Sequence, residues 1–346
     1  MINITHHLAV LQQYDSLRIV SWILGPLGLF ANIFVIGWMI YNKFNPLKLI
    51  SKNSVRNVSN NPSLLMIFNL AVADLLGALY LIILAISDQV YRISDGELNE
   101  NGTYDNTWII STPCFVERIL SQISLLMSIF IICLITVSRF IPVVYPYSTW
   151  EINIKKTRIA LISFWIVSIA ISVVGAVESL LLARTKPSHY SILGHLCQLE
   201  APQTLILQIA VYGELIIGVV AYLIVVILYI IILLKLRKAR SVTVSNQKRS
   251  VENKIHIIIL WIIFTNVVFW IPITCLTIFD GVTNFISERF EIVPVLVLLL
   301  FSNTVINPFV YLAVGTCTII KRQRQVTTLV QNLSWRGTTE RKNNSN

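Results

Sequence analysis

The stretch CFVERILSQISLLMSIFIICLITVSR, residues 114–139, decides how the chain must be read. From Ile119 to Ser138 it holds no Asp, Glu, Lys or Arg across 20 residues, which is the length of a membrane span. As a helix rising about 1.5 Å per residue, it carries the chain about 37 Å from Cys114 to Arg139, the hydrocarbon core plus part of the interface. Cys114 and Arg139 therefore face opposite sides of a membrane.

Working outward, apolar runs of this kind recur seven times, at about 18–41, 62–87, 112–138, 157–182, 203–234, 255–279 and 291–315. A mean hydropathy of +0.72 with only 13% charged residues excludes an ordinary soluble domain, in which about a quarter of residues are charged. Runs this long read as helices, because a backbone in lipid must satisfy its own hydrogen bonds; barrel strands are shorter and alternate. The predicted fold is an all-α membrane protein: a short extracellular N-terminus (1–17), a seven-helix bundle (18–315), and a cytoplasmic amphipathic helix with a polar tail (316–346). The N-terminal residues show no cleavable signal pattern, so the first span is expected to serve as its own insertion signal.

Orientation follows from the loops. With the N-terminus outside, the inner segments 42–61, 139–158, 235–254 and 316–346 carry four, four, seven and six Lys or Arg. The outer side holds only Arg18, Arg92, Arg118, Arg184, Lys186 and Arg289. This positive-inside bias puts the C-terminus in the cytoplasm and assigns the +10 charge to an inner face suited to anionic membrane lipids or an acidic partner, not to nucleic acid. Sequons at Asn3 and Asn101 fall outside as candidate glycosylation sites, whereas those at Asn57, Asn332 and Asn343 fall inside. Cys114 and Cys197 both lie on the oxidising side and are expected to form a disulfide pinning the loop 183–202 over the bundle mouth. Cys133 and Cys275 read as apolar packers, and Cys317 as a candidate for palmitoylation.

Within the spans, polar residues mark function. Asp74 is a carboxylate deep in the second span, and such a group faces the bundle interior with a partner. It is read either as a protonated, hydrogen-bonded acid or as a cation or proton site. Ser128, Asn303 and Asn307 are available as further oxygen ligands for a hard monovalent cation. Glu214 is a second intramembrane acid, facing an outer water-filled cavity or protonated at an interface. Trp165 reads as a packing residue. Pro272, following Trp270 and Ile271, is expected to kink the sixth span and make it a pivot. Asn307-Pro308 begins a second proline break that runs to Tyr311.

Asn32, Asp74, Cys114, Arg139, Trp165, Cys197, Trp270 to Pro272 and Asn307-Pro308 to Tyr311 stand in order through the seven spans. The chain resembles the rhodopsin-like G-protein-coupled receptors over about residues 18–326. The resemblance implies a plasma-membrane receptor that binds an extracellular ligand, a peptide or a small molecule, and activates a heterotrimeric G protein by outward movement of helix 6. It implies Trp270 at the pocket floor; Glu117, Ser121, Gln122 and Phe301 are candidates to face the same pocket, with packing as the alternative role for each. Arg139, Tyr229 and Tyr311 would face the G protein, and Asp74, Ser128, Asn303 and Asn307 would form a sodium pocket. The family's acid before the helix 3 arginine is Ser138 here, so Glu252, which matches an acid that pairs with that arginine in some members, is expected to restrain Arg139. Phe301 stands where opsins carry the retinal-binding lysine, and Ser121 where amine receptors carry an aspartate, so retinal and biogenic amines are disfavoured. Ala221 in place of a helix 5 proline, Phe264-Thr265-Asn266 and Val144 to Tyr147 are similar to the leucine-rich-repeat hormone receptors, especially the relaxin type, although the large repeat ectodomain is absent from this sequence.

A channel or transporter carrying ions along Asp74 and Glu214 is the rival reading. It predicts internal repeats or paired broken helices, and the seven spans show no such symmetry. An enzyme is disfavoured, since the five histidines have no metal-ligand spacing and no activated nucleophile pair is evident.

Overall fold

The computed structural model of the protein describes residues 15–44, 61–94, 108–148, 152–185, 196–199, 204–239, 261, 264–266, 268–272, 275 and 295–310. Five long helices follow one another: α1 (Asp15–Phe44), α2 (Pro62–Ser94), α3 (Thr112–Val144), α4 (Ile154–Thr185) and α5 (Leu205–Ala239). Each is long and apolar enough to cross a membrane. The described residues from 261 to 275 are helical positions of a sixth segment, and Val295–Val310 forms a seventh helix. The protein is a multi-pass, all-α membrane bundle. The expected amphipathic helix beyond residue 315 lies outside the described residues, as do Cys317 and the sequons at Asn3 and Asn101.

The runs are rich in Ile and Val, which in water favour strands. In α5, 11 of the 19 residues from Ile216 to Leu234 are Ile or Val, yet the stretch is helical, because only a helix keeps every backbone hydrogen bond within the segment. Local signals fix the ends of α3. The Ser111 side chain accepts from the Cys114 backbone N–H at 3.3 Å, Pro113 sits in the first turn, and the Tyr145 N–H closes the last turn on Ile141. The helices overrun the apolar runs that announce them. α2 continues past residue 87 to Ser94, so Asp88 and Arg92, expected in a loop, are helical.

α3 is the central post. In its most apolar window 72% of residues are buried, against 28% in α4 and α5, which turn large side chains such as Ile159, Ile166, Ile209 and Ile216 outward. Apolar faces of this extent match a lipid environment. α4 buries only a narrow stripe of mostly small residues, among them Thr157, Ser168, Ser172, Gly175, Ala176 and Ser179. Small side chains let helices approach closely in lipid, where close packing replaces the hydrophobic drive.

The buried apolar side chains fall into two layers. One lies toward Cys114 and contains Tyr80, Leu84, Trp108, Ile129, Trp270 and Phe301. The other lies toward Arg139 and contains Met66, Leu70, Ile131, Ile135, Tyr229 and Ile232. Buried polar residues, Asn32, Asp74, Asn266, Asn303 and Asn307, occupy the level between them. Gly77 lies at this junction. A Cβ there would stand 2.6 Å from Ser124 Oγ, 2.7 Å from Thr304 Cγ2 and 3.3 Å from Phe301 Cδ1. α2, α3 and the seventh helix converge on the missing side chain.

Gly77→Ala is expected to destabilise the bundle by about 1–3 kcal/mol through overpacking. Gly37→Ala, on α1 where nothing lies within 4 Å of the added methyl, is expected to stabilise it by about 0.5–1 kcal/mol. Thermal unfolding of the two variants in lipid nanodiscs checks the pair, which should move in opposite directions.

Candidate functional site

At one end of the bundle, Cys114 and Cys197 are joined by the expected disulfide, with Cα atoms 5.2 Å apart. The chain beside it, Leu196 to Leu199, is buried. Three further contacts hold it down. The Tyr80 hydroxyl donates to the Leu196 carbonyl at 2.8 Å, Arg118 Nε donates to the Gln198 carbonyl at 3.3 Å, and the Leu199 side chain packs against Gly175 of α4. Arg118 also donates to the Ile109 carbonyl at 3.2 Å, tying the approach to α3 to the same anchor. The positive-inside count treats Arg118 as an outer loop charge. It is instead a wholly buried tether, for which its position four residues after Cys114 was the available sign.

Beneath this cap lie the predicted pocket residues. Glu117, Ser121, Gln122, Trp270 and Phe301 are all buried. Phe301 packs on Tyr80 at 4.5 Å between ring centroids, and Trp270 on Tyr222 at 5.6 Å. The Ser121 hydroxyl is turned back onto its own helix, donating to the Arg118 carbonyl at 3.1 Å. Glu117 has both carboxylate oxygens buried without a hydrogen-bond partner.

The middle level is a hydrogen-bonded belt. Asn307 Nδ2 donates to Asp74 Oδ2 at 2.9 Å, joining the seventh helix to α2. Asn303 Nδ2 donates to Asn266 Oδ1 at 2.6 Å, joining it to the sixth segment, and the Tyr222 hydroxyl of α5 reaches the same Asn266 oxygen at 3.5 Å. Asn32 Nδ2 bonds the carbonyls of Gly28 and Thr304, bringing in α1. Of the predicted cation ligands, Asp74 and Asn307 are thus in direct contact, Asn303 pairs with Asn266, and Ser128 is buried on α3. The oxygens Asp74 Oδ1, Asn303 Oδ1 and Asn307 Oδ1 are buried without donors. An all-oxygen set with unspent lone pairs fits a hard cation such as sodium.

At the other end Arg139 Nη2 donates to Ser63 Oγ, at the start of α2, at 2.7 Å. Ser138, in place of the usual acid, donates to the Ile135 carbonyl at 2.7 Å and offers no counter-charge. Tyr229 is buried on α5. Glu252 and Tyr311 lie outside the described residues. Pro272 is a described helical position two residues after Trp270, and Pro308 is buried in the seventh helix.

Several contributors escaped the sequence reading. Trp165 does more than pack: its indole N–H donates to Asn69 Oδ1 at 3.0 Å, fastening α4 to α2. Asn266 is the shared acceptor of the belt, and its polarity within an apolar span was the available signal. Arg18 of α1 forms an ion pair with the buried Asp88 of α2, visible only once α2 is known to extend that far.

The chain is 25% identical over 309 residues to mouse relaxin receptor 1, covering 85% of this chain and 36% of that protein. To human relaxin receptor 2 it is 27% identical over 160 residues, covering 46% of this chain and 19% of that protein. The G-protein coupled receptor GRL101 of Lymnaea stagnalis matches at 27% over 160 residues, 45% of this chain and 12% of that one. The chain thus spans about a third or less of the length of these relatives. Residues 45–311 match the model of the 7 transmembrane receptor (rhodopsin family), and the cap, belt and arginine described above fall within or beside that range. The chain belongs to the rhodopsin family of seven-transmembrane receptors.

Proposed function

We propose that the chain is a ligand-activated receptor of the plasma membrane that engages a heterotrimeric G protein, with Cys114 and the N-terminus outside and Arg139 and the C-terminus in the cytoplasm. The observation that supports this reading is a continuous run of contacts from Trp270 to the belt. Trp270 packs on Tyr222, the Tyr222 hydroxyl meets Asn266, and Asn266 accepts from Asn303. A ligand, peptide or small molecule, that displaces Trp270 therefore disturbs the hydrogen bonds linking α5, the sixth segment and the seventh helix.

Such a ligand acts by preferring one of two pre-existing states. Outward swing of the inner half of the sixth helix about Pro272 opens a crevice for a G-protein segment, lined by Arg139, Tyr229, Tyr311 and basic residues such as Lys235 and Arg237. In the resting state Arg139 is restrained by Ser63 and, from the sequence match, by Glu252. A sodium ion held by Asp74, Ser128, Asn303 and Asn307 would neutralise the buried carboxylate and favour the closed belt. The excess of Lys and Arg in the inner loops supports the orientation and an acidic partner surface.

Three outcomes are expected. Cells expressing the chain with a panel of G-protein dissociation reporters should respond to at least one member of a peptide and metabolite library; silence throughout, with good surface expression, overturns the receptor reading. Ser63→Ala and Glu252→Gln should each raise ligand-free dissociation several-fold, since a hydrogen bond to a charged group contributes about 1.5–3 kcal/mol. No change in either variant removes the proposed restraint. In nanodiscs, replacing sodium chloride with choline chloride at constant ionic strength should lower the melting temperature of the wild type and leave Asp74→Asn unmoved.

A further inference from the structure

Resting on the orientation in the receptor reading, the cytoplasmic end of α4 points to a partner of its own. Lys155, Lys156 and Arg158 lie in its opening turns, and all three are exposed. Between Glu151, ahead of the helix, and Glu178, near its outer end, the chain has these three cations and no acid. The helix start is already capped. Asn153 Oδ1 accepts from the Lys156 N–H and the Asn153 carbonyl from the Thr157 N–H, each at 3.0 Å. The positive charge on offer is therefore that of the side chains.

The direction of that charge follows from helix geometry. At about 100° per residue, Lys155 stands in line with Ile159, Ile162, Ile166, Ile169 and Val173. These apolar residues are 38% to 66% exposed, whereas Thr157, Leu161, Ser168 and Ser172 bury the opposite side. Lys156 and Arg158 flank Lys155, about 100° and 60° round the helix on either hand. The cations thus stand at the end of a face turned toward lipid, away from the crevice assigned to the G protein. Lysine and arginine stems lie along apolar surface and carry their charge to the headgroup level. Three cations at one headgroup-sized place are poorly matched by a lipid with a single negative charge. Phosphate monoesters carry nearly two charges each and accept from several donors. We infer that the cytoplasmic end of α4 is a docking surface for a polyphosphorylated phospholipid of the inner leaflet. Its phosphates meet Lys155, Lys156 and Arg158, and its acyl chains lie along Ile159, Ile162 and Ile166.

The full chain, purified in detergent, is offered an equimolar mixture of phosphatidylinositol bisphosphate, phosphatidylserine and phosphatidylcholine, and the retained lipid is read by native mass spectrometry. The bisphosphate lipid should be retained at least about tenfold over phosphatidylserine. Lys155→Gln, Lys156→Gln and Arg158→Gln should each weaken its retention about fivefold, the effect of one cation near an anionic surface. Lys155→Arg combined with Lys156→Arg and Arg158→Lys, which keeps the charge, should keep the preference. Lys248→Gln combined with Arg249→Gln and Lys254→Gln, which removes three cations from another inner segment, should leave it unchanged. Equal retention of the three lipids, or the same loss from either inner segment, overturns the site. So does competition by free inositol trisphosphate as effective as by the lipid, which assigns the cations to a soluble phosphate. Unchanged lipid retention with lowered G-protein dissociation in the three α4 variants gives the cations to the protein partner and overturns the site as well. A C-terminal epitope reached by antibody in unpermeabilised cells removes the orientation and the site with it. Lipid preference without any signalling sinks the receptor reading and leaves the site standing; signalling without the preference sinks the site alone.

Discussion

A polar group inside a membrane has no water to turn to, and the arrangement of this bundle depends on how each one finds its partner. Two chemistries divide the task. Hydroxyls spend their proton on their own helix: Thr136 donates to Ile132, Ser172 to Ser168 and Ser302 to Leu298, each four residues back. These three spend their protons where they stand, whereas the Ser63 oxygen and the Tyr222 hydroxyl make contacts between helices. An asparagine has two donor hydrogens and a strong acceptor, too many for its own turn to absorb. Asn32, Asn69, Asn266, Asn303 and Asn307 accordingly carry hydrogen bonds between helices, linking α1 and the sixth segment to the seventh helix, the seventh to α2, and α2 to α4.

The belt's position gives those links their mechanical meaning. It separates an apolar layer around Trp270 and Phe301 from another around Ile131 and Tyr229. Close-packed layers shift between discrete arrangements and do not deform continuously. Bonds across the belt, at roughly 0.6–2 kcal/mol each in lipid, are strong enough to select an arrangement and weak enough to exchange. The two layers can therefore repack against each other while the backbone hydrogen bonds of every helix stay intact.

Much of this was legible before any coordinates. Span number, the disulfide and the pairing of Asp74 with the seventh helix follow from length, compartment and the cost of a buried acid. What escaped did so for definite physical reasons. The helices overrun their apolar runs, because polar residues near an interface can stay helical, and so the pairing of Arg18 with Asp88 was hidden in an apparent loop. Arg118 counted as a solvated outer charge because a sequence does not show which cationic ends of spans are covered by a folded loop. Trp165 looked sufficient as a packing residue since its single N–H gives no hint of Asn69. Ser63 had no signal at all: a serine near a helix start reads as a cap until an arginine from another helix arrives beside it.

Arg18 and Arg139 meet partners of different chemistry on the same helix. Both lie on long helices, and both reach a residue of α2. Arg18 meets a buried carboxylate, and breaking such a pair strands an uncompensated charge at a cost of about 3–5 kcal/mol. That contact holds α1 to α2. Arg139 meets a neutral hydroxyl, and Ser138 denies it the adjacent acid. With no acid at position 138, Arg139 donates its hydrogen bond to another helix, at Ser63.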